Sequence, residues 1–590
     1  MKRQNPYAII NIYILLFYRK RDVMNRATLS LMHPTNSDCN YRTLTTEAQN
    51  DLSIDFICEA LTEDKLEQNI IREILIKIPD STKTVNYRCA VFEDFLKFPK
   101  LREDMTSVLT KLKDLRDIER FQKDSEASSL WQLVNRLREI DEYVDCITEI
   151  KNTLENTDIQ SEGLIALRNQ TTQIYESSSF PILKKDIEEA LTDIKKVKSI
   201  TLGVNLDDML RPKTVGIVSL NNKHFTDSGL LKRVLKITNK EELHEGTDVS
   251  GITTFHPANP STSSFGFGTP VAGAQQDVHH IENSSLTGVD PMSDALKKVV
   301  TDILKRTVSN LKSMLNKYVG VSGYAFLTLM PEIVFYIRFA ELCDKIKEKG
   351  LPLCKAQATD KDKRLCNAKD LYNFKLAIRA AQGIEGEIVT NDFTFDDNAR
   401  IYILTGPNRG GKTTVTQAVG LAHLLAQSGI YVPASSMTFS PCDNIFTHFP
   451  ADENDTVDLG RLGEESKRLS EIFESATRYS LILLNESFAT TNVSEGMYIA
   501  KDVIKAMRYL GVRSVFNTHM HDLARNLEEL NRNIEGDSKV ESMVTGVENG
   551  NRSFKIAIAP PQGISYAKDI ALKYGVTYEI IKGKLDNKAK

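Results

Sequence analysis

The sequence predicts a multidomain protein: a mostly α-helical front part, interrupted by a small β-rich insert, followed by an α/β domain built around a phosphate-binding loop. Three observations carry this expectation. A chain of 590 residues exceeds what one hydrophobic core serves, and a hydrophobic content of 41% is ample for several. Apolar residues step by three and four from about Leu52 to Asp117 and again from Leu130 to Leu154, the period of amphipathic helices. From Ile401 the text reads IYILTGPNRGGKTTVTQAVG: a β-rich apolar run, a Gly-rich loop and a helical run, in that order.

Composition narrows the classes. The net charge is -4 and the pI about 6.3, so no global positive field draws the chain to nucleic acid or membrane, and any such contact must be local. Eight cysteines are scattered without a CxxC pair, which speaks against a zinc or redox centre and for a reducing, cytoplasmic setting. The apolar run AIINIYILLF (Ala8 to Phe17) is too short to span a bilayer, and YRKRD follows where a signal peptide needs small residues. Residues 1–43 are therefore read as an extension with no membrane partner, and Met24 is a second candidate start.

In the front part, Leu130, Leu133, Leu137, Ile140, Val144, Ile147 and Leu154 form the seam of one long helix, either a rod against a partner helix or an ordinary bundle helix. Near residue 200 the period changes: ITLGVNL (Ile200 to Leu206) and TVGIVSL (Thr214 to Leu220) flank DDMLRPK, as two strands around a turn. From Gly246 to about Met292 the text is dense in Gly, Ser, Thr and Pro and reads as a loop, with His279 and His280 as solvated loop residues rather than metal ligands. Helix returns from Asp294 to Tyr318, where Lys298, Lys305 and Lys312 recur at every seventh residue along one flank. Such a row suits a phosphate backbone, or is a solvated helix face.

In the last part, Gly406, Pro407, Asn408, Arg409, Gly410, Gly411, Lys412 and Thr413 fit GxxxxGK[ST], with Thr414 continuing the helix. The glycines let backbone N–H groups converge on phosphates, Lys412 meets the β- and γ-phosphates of ATP, and the Thr413 hydroxyl coordinates Mg2+. A second strand, Leu481 to Leu484, ends in Asn485 and Glu486. A P-loop ATPase has Asp-Glu there, the first carboxylate for the metal and the second for the attacking water. Glu486 thus stands where a general base belongs, and Asn485 serves the metal without supplying negative charge. A third strand, Arg513 to Asn517, leads into Thr518, His519, Met520 and His521, at the edge where α/β sheets bind ligands.

These residues together resemble the MutS family of DNA mismatch-repair ATPases, a branch of the ABC-type P-loop fold. TGPNRGGKTT is similar to the family's TGPNMGGKST, LILLNE to its Asp-Glu strand, NTHMHDL to its ATHxxEL, and QGISYAKDIALKYGV to its SYGxxVAxxAGVP tail; YVPA and IFT follow as they do there. The resemblance is dense from about Asn391 to Val576. It implies that Asn408 positions the hydrolytic water, that Glu486 is the catalytic carboxylate, that His519 matches the family histidine, and that Val389 lies near the adenine. It also implies a dimer, each nucleotide facing the other subunit's signature segment. Here that GxSTF segment aligns with Gly460, Arg461, Leu462, Gly463 and Glu464, so its serine is missing, and SFATTN replaces the Gly-rich segment after the acidic strand. Only about forty residues precede the helical core, no room for the family's mismatch-recognition domain, and the Phe-Ala-Glu at Phe339 to Glu341 reads as ordinary helix.

The expected organisation is an N-terminal extension (1–43), a helical core and lever (44–199), a β-rich clamp-like insert with its loop (200–292), returning lever helices (293–385), a MutS-like ATPase domain (386–582) and a tail (583–590). The expected function is a DNA-binding ATPase, homodimeric, cytoplasmic or nucleoid-associated, that couples ATP to clamping of duplex or branched DNA without sequence preference in mismatch repair or a related DNA-maintenance process. The alternative is a nucleotide-gated DNA-binding or scaffold module with little or no hydrolysis. A transporter ATPase ranks below both, because the motifs are not a transporter's.

Overall fold

The structure, a computed structural model, describes residues 29–35, 40–123, 130–196, 199–206, 208–209, 212–221, 328–384, 386–407, 409–450, 460–489, 492–532, 536–548, 551–561, 572 and 574–588. The extension up to residue 28, the Gly/Ser-rich stretch with His279 and His280, the row of Lys298, Lys305 and Lys312, Asn408 and most of QGISYAKDIALKYGV lie outside the described residues. The chain divides into two compact units, one of residues 1–114, 145–176 and 324–590, the other of residues 115–144 and 177–323.

The first unit opens with β1 (Tyr41–Thr43), followed by α1 (Thr46–Asp51), α2 (Ile54–Leu61), α3 (Lys65–Leu75) and β2 (Lys77–Pro79), which pairs antiparallel with β1. Asp64 caps α3 by accepting the Leu66 amide at 2.8 Å, and Ile70, Ile71, Ile74 and Leu75 form its buried face. Next come α4 (Thr82–Lys97), α5 (Pro99–Lys123), α6 (Leu130–Glu155) and α7 (Glu162–Tyr175), of which residues 115–123 of α5 and 130–144 of α6 belong to the second unit. Of the long seam, Leu137, Ile140, Val144, Ile147 and Leu154 are buried. The second unit contains α8 (Ser179–Lys196) and an antiparallel hairpin of β3 (Ser199–Leu206) and β4 (Pro212–Asn221). These are the two strands that the change of period predicts.

Back in the first unit, α9 (Met330–Glu348) packs on α3 and α4 and is apolar on nearly every side, as a helix surrounded by others must be. Phe339 is buried within it and Glu341 pairs with Arg338 at 3.0 Å, so the Phe-Ala-Glu is part of the helical core. The buried Glu67 of α3 is held by the Arg338 guanidinium at 2.8 Å. The peptide Ser30 to Met32 is anchored alongside: Glu332 accepts the Leu31 amide at 2.6 Å, and Arg88 donates to the Met32 carbonyl at 2.9 Å.

The rest of the first unit holds two sheets. β5 (Ala356–Ala358), β6 (Cys366–Leu371), α10 (Phe374–Ala381), β7 (Asn391–Phe395), β8 (Ile401–Thr405), α11 (Lys412–Gln427), β9 (Ser436–Phe439), β10 (Ile445–His448), α12 (Gly460–Ser475) and β11 (Leu481–Asn485) follow in turn. They are succeeded by α13 (Val493–Leu510), β12 (Arg513–Asn517), α14 (His521–Arg525), α15 (Leu527–Asn531), β13 (Val540–Glu548), β14 (Asn551–Ile558) and α16 (Tyr578–Lys588). The smaller sheet has the order β5-β9-β6-β7, so Ala356–Ala358 and Cys366–Leu371, read from sequence with the returning helices, are strands of this sheet.

The larger sheet is six-stranded, in the order β10-β11-β12-β8-β13-β14, parallel except for the last pair. Its strands β8, β11 and β12 are buried on both faces; β8 and β11 accordingly read as near-continuous apolar runs, while β12 (RSVFN) also buries Arg513, Ser514 and Asn517. Ile403, Ile482, Leu484 and Phe516 face Val503, Ile504 and Met507 of α13 on one side. On the other, α11 approaches β11 so closely that a Cβ on Gly420 would stand 2.7 Å from the Leu483 side chain and 2.8 Å from Leu52. Glycine there sets the helix-to-sheet distance.

Candidate active site

Parallel pairing brings the carboxyl ends of β11, β12 and β8 side by side, Asn485 in register with Asn517 and Asn517 with Leu404. Loops leaving these ends share one edge of the sheet, where α/β folds place their ligands. The loop after β8 is shaped by backbone conformations that favour glycine: Gly406 has φ 147° and Gly411 φ 87°. A Cβ on Gly406 would collide with the Thr545 side chain of β13, and one on Gly411 would come within 3.2 Å of the Phe554 ring. Arg409 adopts φ 59° without being glycine.

Lys412 opens α11 and curls back over this loop, donating to the carbonyls of Gly406 (3.2 Å) and Pro407 (3.1 Å). Burial lowers its ammonium below the ordinary lysine range, against the pull of the Glu486 carboxylate. Thr413 donates its hydroxyl to Asn485 Oδ1 at 2.9 Å, and Asn517 Nδ2 donates to the same oxygen and, at 3.4 Å, to the Thr413 hydroxyl. The Asn517 Oδ1 atom is buried with no hydrogen-bond partner among the described residues. Hydroxyl and amide oxygens with a spare buried acceptor are the hard donors that magnesium prefers, so this set fits Mg2+. Of the residues in it, none carries charge.

Glu486 follows Asn485 in a left-handed conformation, φ 53°, its amide donating to the Asn517 carbonyl at 2.8 Å. His519 Nε2 lies 2.8 Å from Glu486 Oε1. That hydrogen bond, partly opposed by burial, holds the carboxyl below its usual range, so Glu486 is ionised at neutral pH. Phe488 is left-handed too, at φ 64°. The turn is pinned from α12, whose Glu465 carboxylate accepts the Phe488 amide at 2.7 Å, and from β10, whose His448 ring bonds the Ser487 hydroxyl at 2.7 Å.

These groups border a cleft of about 310 Å³. Lys412, Thr413 and Glu486 line its polar end, and Leu376, Val389 and Phe554 supply an apolar wall. Such a cleft suits a flat base joined to an anionic tail. Of the residues expected from sequence, Arg409, Gly410, Gly411, Lys412, Thr413, Thr414 and Glu486 lie in its lining, while Gly406, Pro407 and Asn485 stand behind Lys412 and Thr413. His519 reaches it through Glu486, and Asn408 lies outside the described residues. Gly460 and Gly463 lie in the first turn of α12. Sequence reasoning missed Asn517 and Phe554. Asn517 had a signal, its place one residue before Thr518-His519; Phe554 had none, because it reaches the cleft only through β14 pairing and the bonds of Asn391 to the Phe554 carbonyl and the Ile556 amide at 3.1 and 2.8 Å.

Comparison with known proteins matches the chain in two stretches. Residues 402–581 match the family model for MutS domain V, and residues 80–349 match that for the MutS2 N-terminal domain. Endonuclease MutS2 of Thermus thermophilus is 29% identical over 204 residues, covering 35% of this chain and 27% of that protein. DNA mismatch repair protein MutS of Chlorobium chlorochromatii is 37% identical over 149 residues, 25% of this chain and 17% of the relative. The same-named protein of Clostridium kluyveri is 33% identical over 201 residues, 33% and 23% of the two chains. The match thus spans about a quarter or less of these relatives' length. One family model, for the MutS2 N-terminal domain, thus lies on the helical front and another, for MutS domain V, on the domain bearing the P-loop, so the chain is similar to the MutS family along both stretches.

Proposed function

We propose that the chain is an ATP hydrolase of the MutS type that binds DNA without sequence preference, works as a homodimer and couples its nucleotide cycle to DNA clamping in mismatch repair or a related DNA-maintenance process. One observation carries the hydrolase reading: Lys412, Thr413, Asn485 and the Glu486–His519 pair converge on one cleft from three adjacent strand ends. The relatives' printed names, DNA mismatch repair protein among them, support the DNA side.

Loop amides and Lys412 bind the phosphate tail, while Leu376, Val389 and Phe554 receive the base. Thr413 and Asn485 are the residues to hold Mg2+, which when bound neutralises charge on the β- and γ-phosphate oxygens. Glu486, kept ionised by His519, orients a water and accepts its proton as the water oxygen bonds to the γ-phosphorus. The bond from that phosphorus to the β–γ bridging oxygen breaks, and ADP leaves with the electron pair. Replacing Glu486 with Gln keeps the shape but removes the proton acceptor. ATP turnover is expected to fall by about 10²- to 10⁴-fold with nucleotide affinity retained. Wild-type protein that gives no calorimetric heat with ATP and magnesium would remove the reading altogether.

The uncharged Asn485 and the absence of a serine hydroxyl from Gly460 to Glu464 favour a second reading, a nucleotide-gated DNA-binding module that hydrolyses little. ADP production that Glu486→Gln leaves unchanged, alongside tight ATP binding, selects that reading.

A further inference from the structure

We propose that Arg409 is a second phosphate-binding cation of this cleft and that, paired with an uncharged metal-side residue at Asn485, it makes nucleotide binding here largely independent of magnesium. The inference rests on the nucleotide-site reading above and goes beyond it.

Charge bookkeeping leads to it. A P-loop site ordinarily balances a polyanionic tail with one lysine and one magnesium ion, the ion retained by an acidic residue at the end of the neighbouring strand. In this chain that strand end is Asn485, and its partner in register is Asn517. Both are neutral, and both are tied to the Thr413 hydroxyl. Of the two carboxylates lining the cleft, Glu387 and Glu486, the second is hydrogen-bonded to His519 at 2.8 Å and on the reading above serves the attacking water and not metal retention. A metal held without a carboxylate is held weakly, so the tail needs more compensation from the protein itself.

Arg409 is placed to supply it. It stands in the loop between Pro407 and Gly410 and lines the cleft together with Lys412, Thr413 and Glu486. It is exposed, and its guanidinium makes no hydrogen bond or ion pair with any described residue. A guanidinium is permanently charged and presents a planar fork of donors that matches phosphate oxygens two at a time. Its backbone is left-handed, φ 59°, a conformation that costs energy for any side chain and none for glycine. An unpartnered arginine kept in a strained position on the wall of an anion site is where strain points to use.

The test is calorimetric binding of a non-hydrolysable ATP analogue, AMP-PNP, to the full chain in magnesium and in EDTA, with Arg409→Met, Arg409→Lys and Asn485→Asp compared with wild type. All three side chains at 409 meet the same left-handed backbone, so strain cancels among them. For wild type, chelation is expected to weaken binding by less than about tenfold, because arginine replaces part of the ion's charge. Arg409→Met should lose about tenfold or more in EDTA and clearly less in magnesium, Arg409→Lys should keep most of the affinity, and Asn485→Asp should widen the gap between the two buffers. Arg409→Met binding like wild type in both buffers overturns the proposal while leaving the nucleotide site standing. Wild-type binding in magnesium but not in EDTA overturns the proposal alone, and absence of wild-type binding in both buffers removes the proposal and the nucleotide site together. Should Arg409→Met fail to fold, an Asn485→Asp variant no more dependent on magnesium than wild type overturns the proposal.

Discussion

His423 in α11 and His448 at the end of β10 are buried imidazoles, and neither lines the cleft. Burial, with Arg513 nearby, pushes His423 down to about 3; burial, with Arg468 nearby, pushes His448 down to about 4. Both folded values lie below the ordinary imidazole value of about 6.5. The unfolded chain therefore binds protons first, and the stability that these neutral rings confer is complete above that pH and drains away as pH falls toward the folded values. Between about pH 6.5 and 5.5 each ring costs about 1 kcal/mol of stability, about 2 kcal/mol for the pair. Urea unfolding at a series of pH values measures the decline, and His423→Leu is expected to remove about half of it; an unchanged slope in that variant contradicts the account. Residues such as these show where sequence is legible and where it is not. The P-loop is a local word, so Gly406 to Thr414 could be read directly. Asn517 and Phe554 owe their roles to strand neighbours far away in the chain, Asn485 and Asn391.

The turn after β11 is governed by an element that sequence alone does not connect to it. Two left-handed residues that are not glycine, Glu486 and Phe488, would relax without support, at about 1 kcal/mol each. α12 provides it: Glu465 accepts the Phe488 amide, and one turn later Arg468 donates to the Thr447 carbonyl at 2.9 Å and the Asp51 carboxylate at 2.8 Å. Asp51 in turn offers its carbonyl to Gln417 of α11 at 2.8 Å. The helix that begins at Gly460 is thereby tied to the candidate base, to β10 and to the P-loop helix through α1. Glu465→Ala leaves the Phe488 amide without its carboxylate, a loss of about 1–3 kcal/mol of local stability. Faster hydrogen exchange confined to residues 485–489 and reduced turnover are expected, with ATP affinity unchanged and Glu465→Gln, which keeps an acceptor oxygen, restoring most of both. Exchange equal to wild type would dismiss the support. At this scale the sequence was legible where elements are long or apolar: α6, α11 and the inner strands β8, β11 and β12 stand where periodicity places them. β5 and β6 were not, because AQA and CNAKDL are short and polar and become strands only by pairing with β9 and β7.

At the scale of the whole chain, the net charge of -4 means that DNA affinity cannot come from the protein's overall field. It must come from a local set of cations, and then it carries a signature: each phosphate neutralised releases counterions, so affinity falls with salt at about 0.9 log units per contact and per decade. The row of Lys298, Lys305 and Lys312, which lies outside the described residues, is the candidate set that the sequence offers, since in a helix a spacing of seven residues would bring three ammonium groups to one flank. Replacing all three with Ala is expected to flatten the slope of log affinity against log salt by about 2–3, equally for homoduplex, mismatched and branched DNA. The ATP affinity proposed for the cleft that Lys412 lines should stay unchanged. Filter binding over a salt series reads both the slope and the preference among DNA forms. An unchanged slope assigns the row to solvent and sends the search for the DNA-binding surface elsewhere, whereas loss of affinity for one DNA form alone would mean that these lysines read structure and not merely phosphate charge.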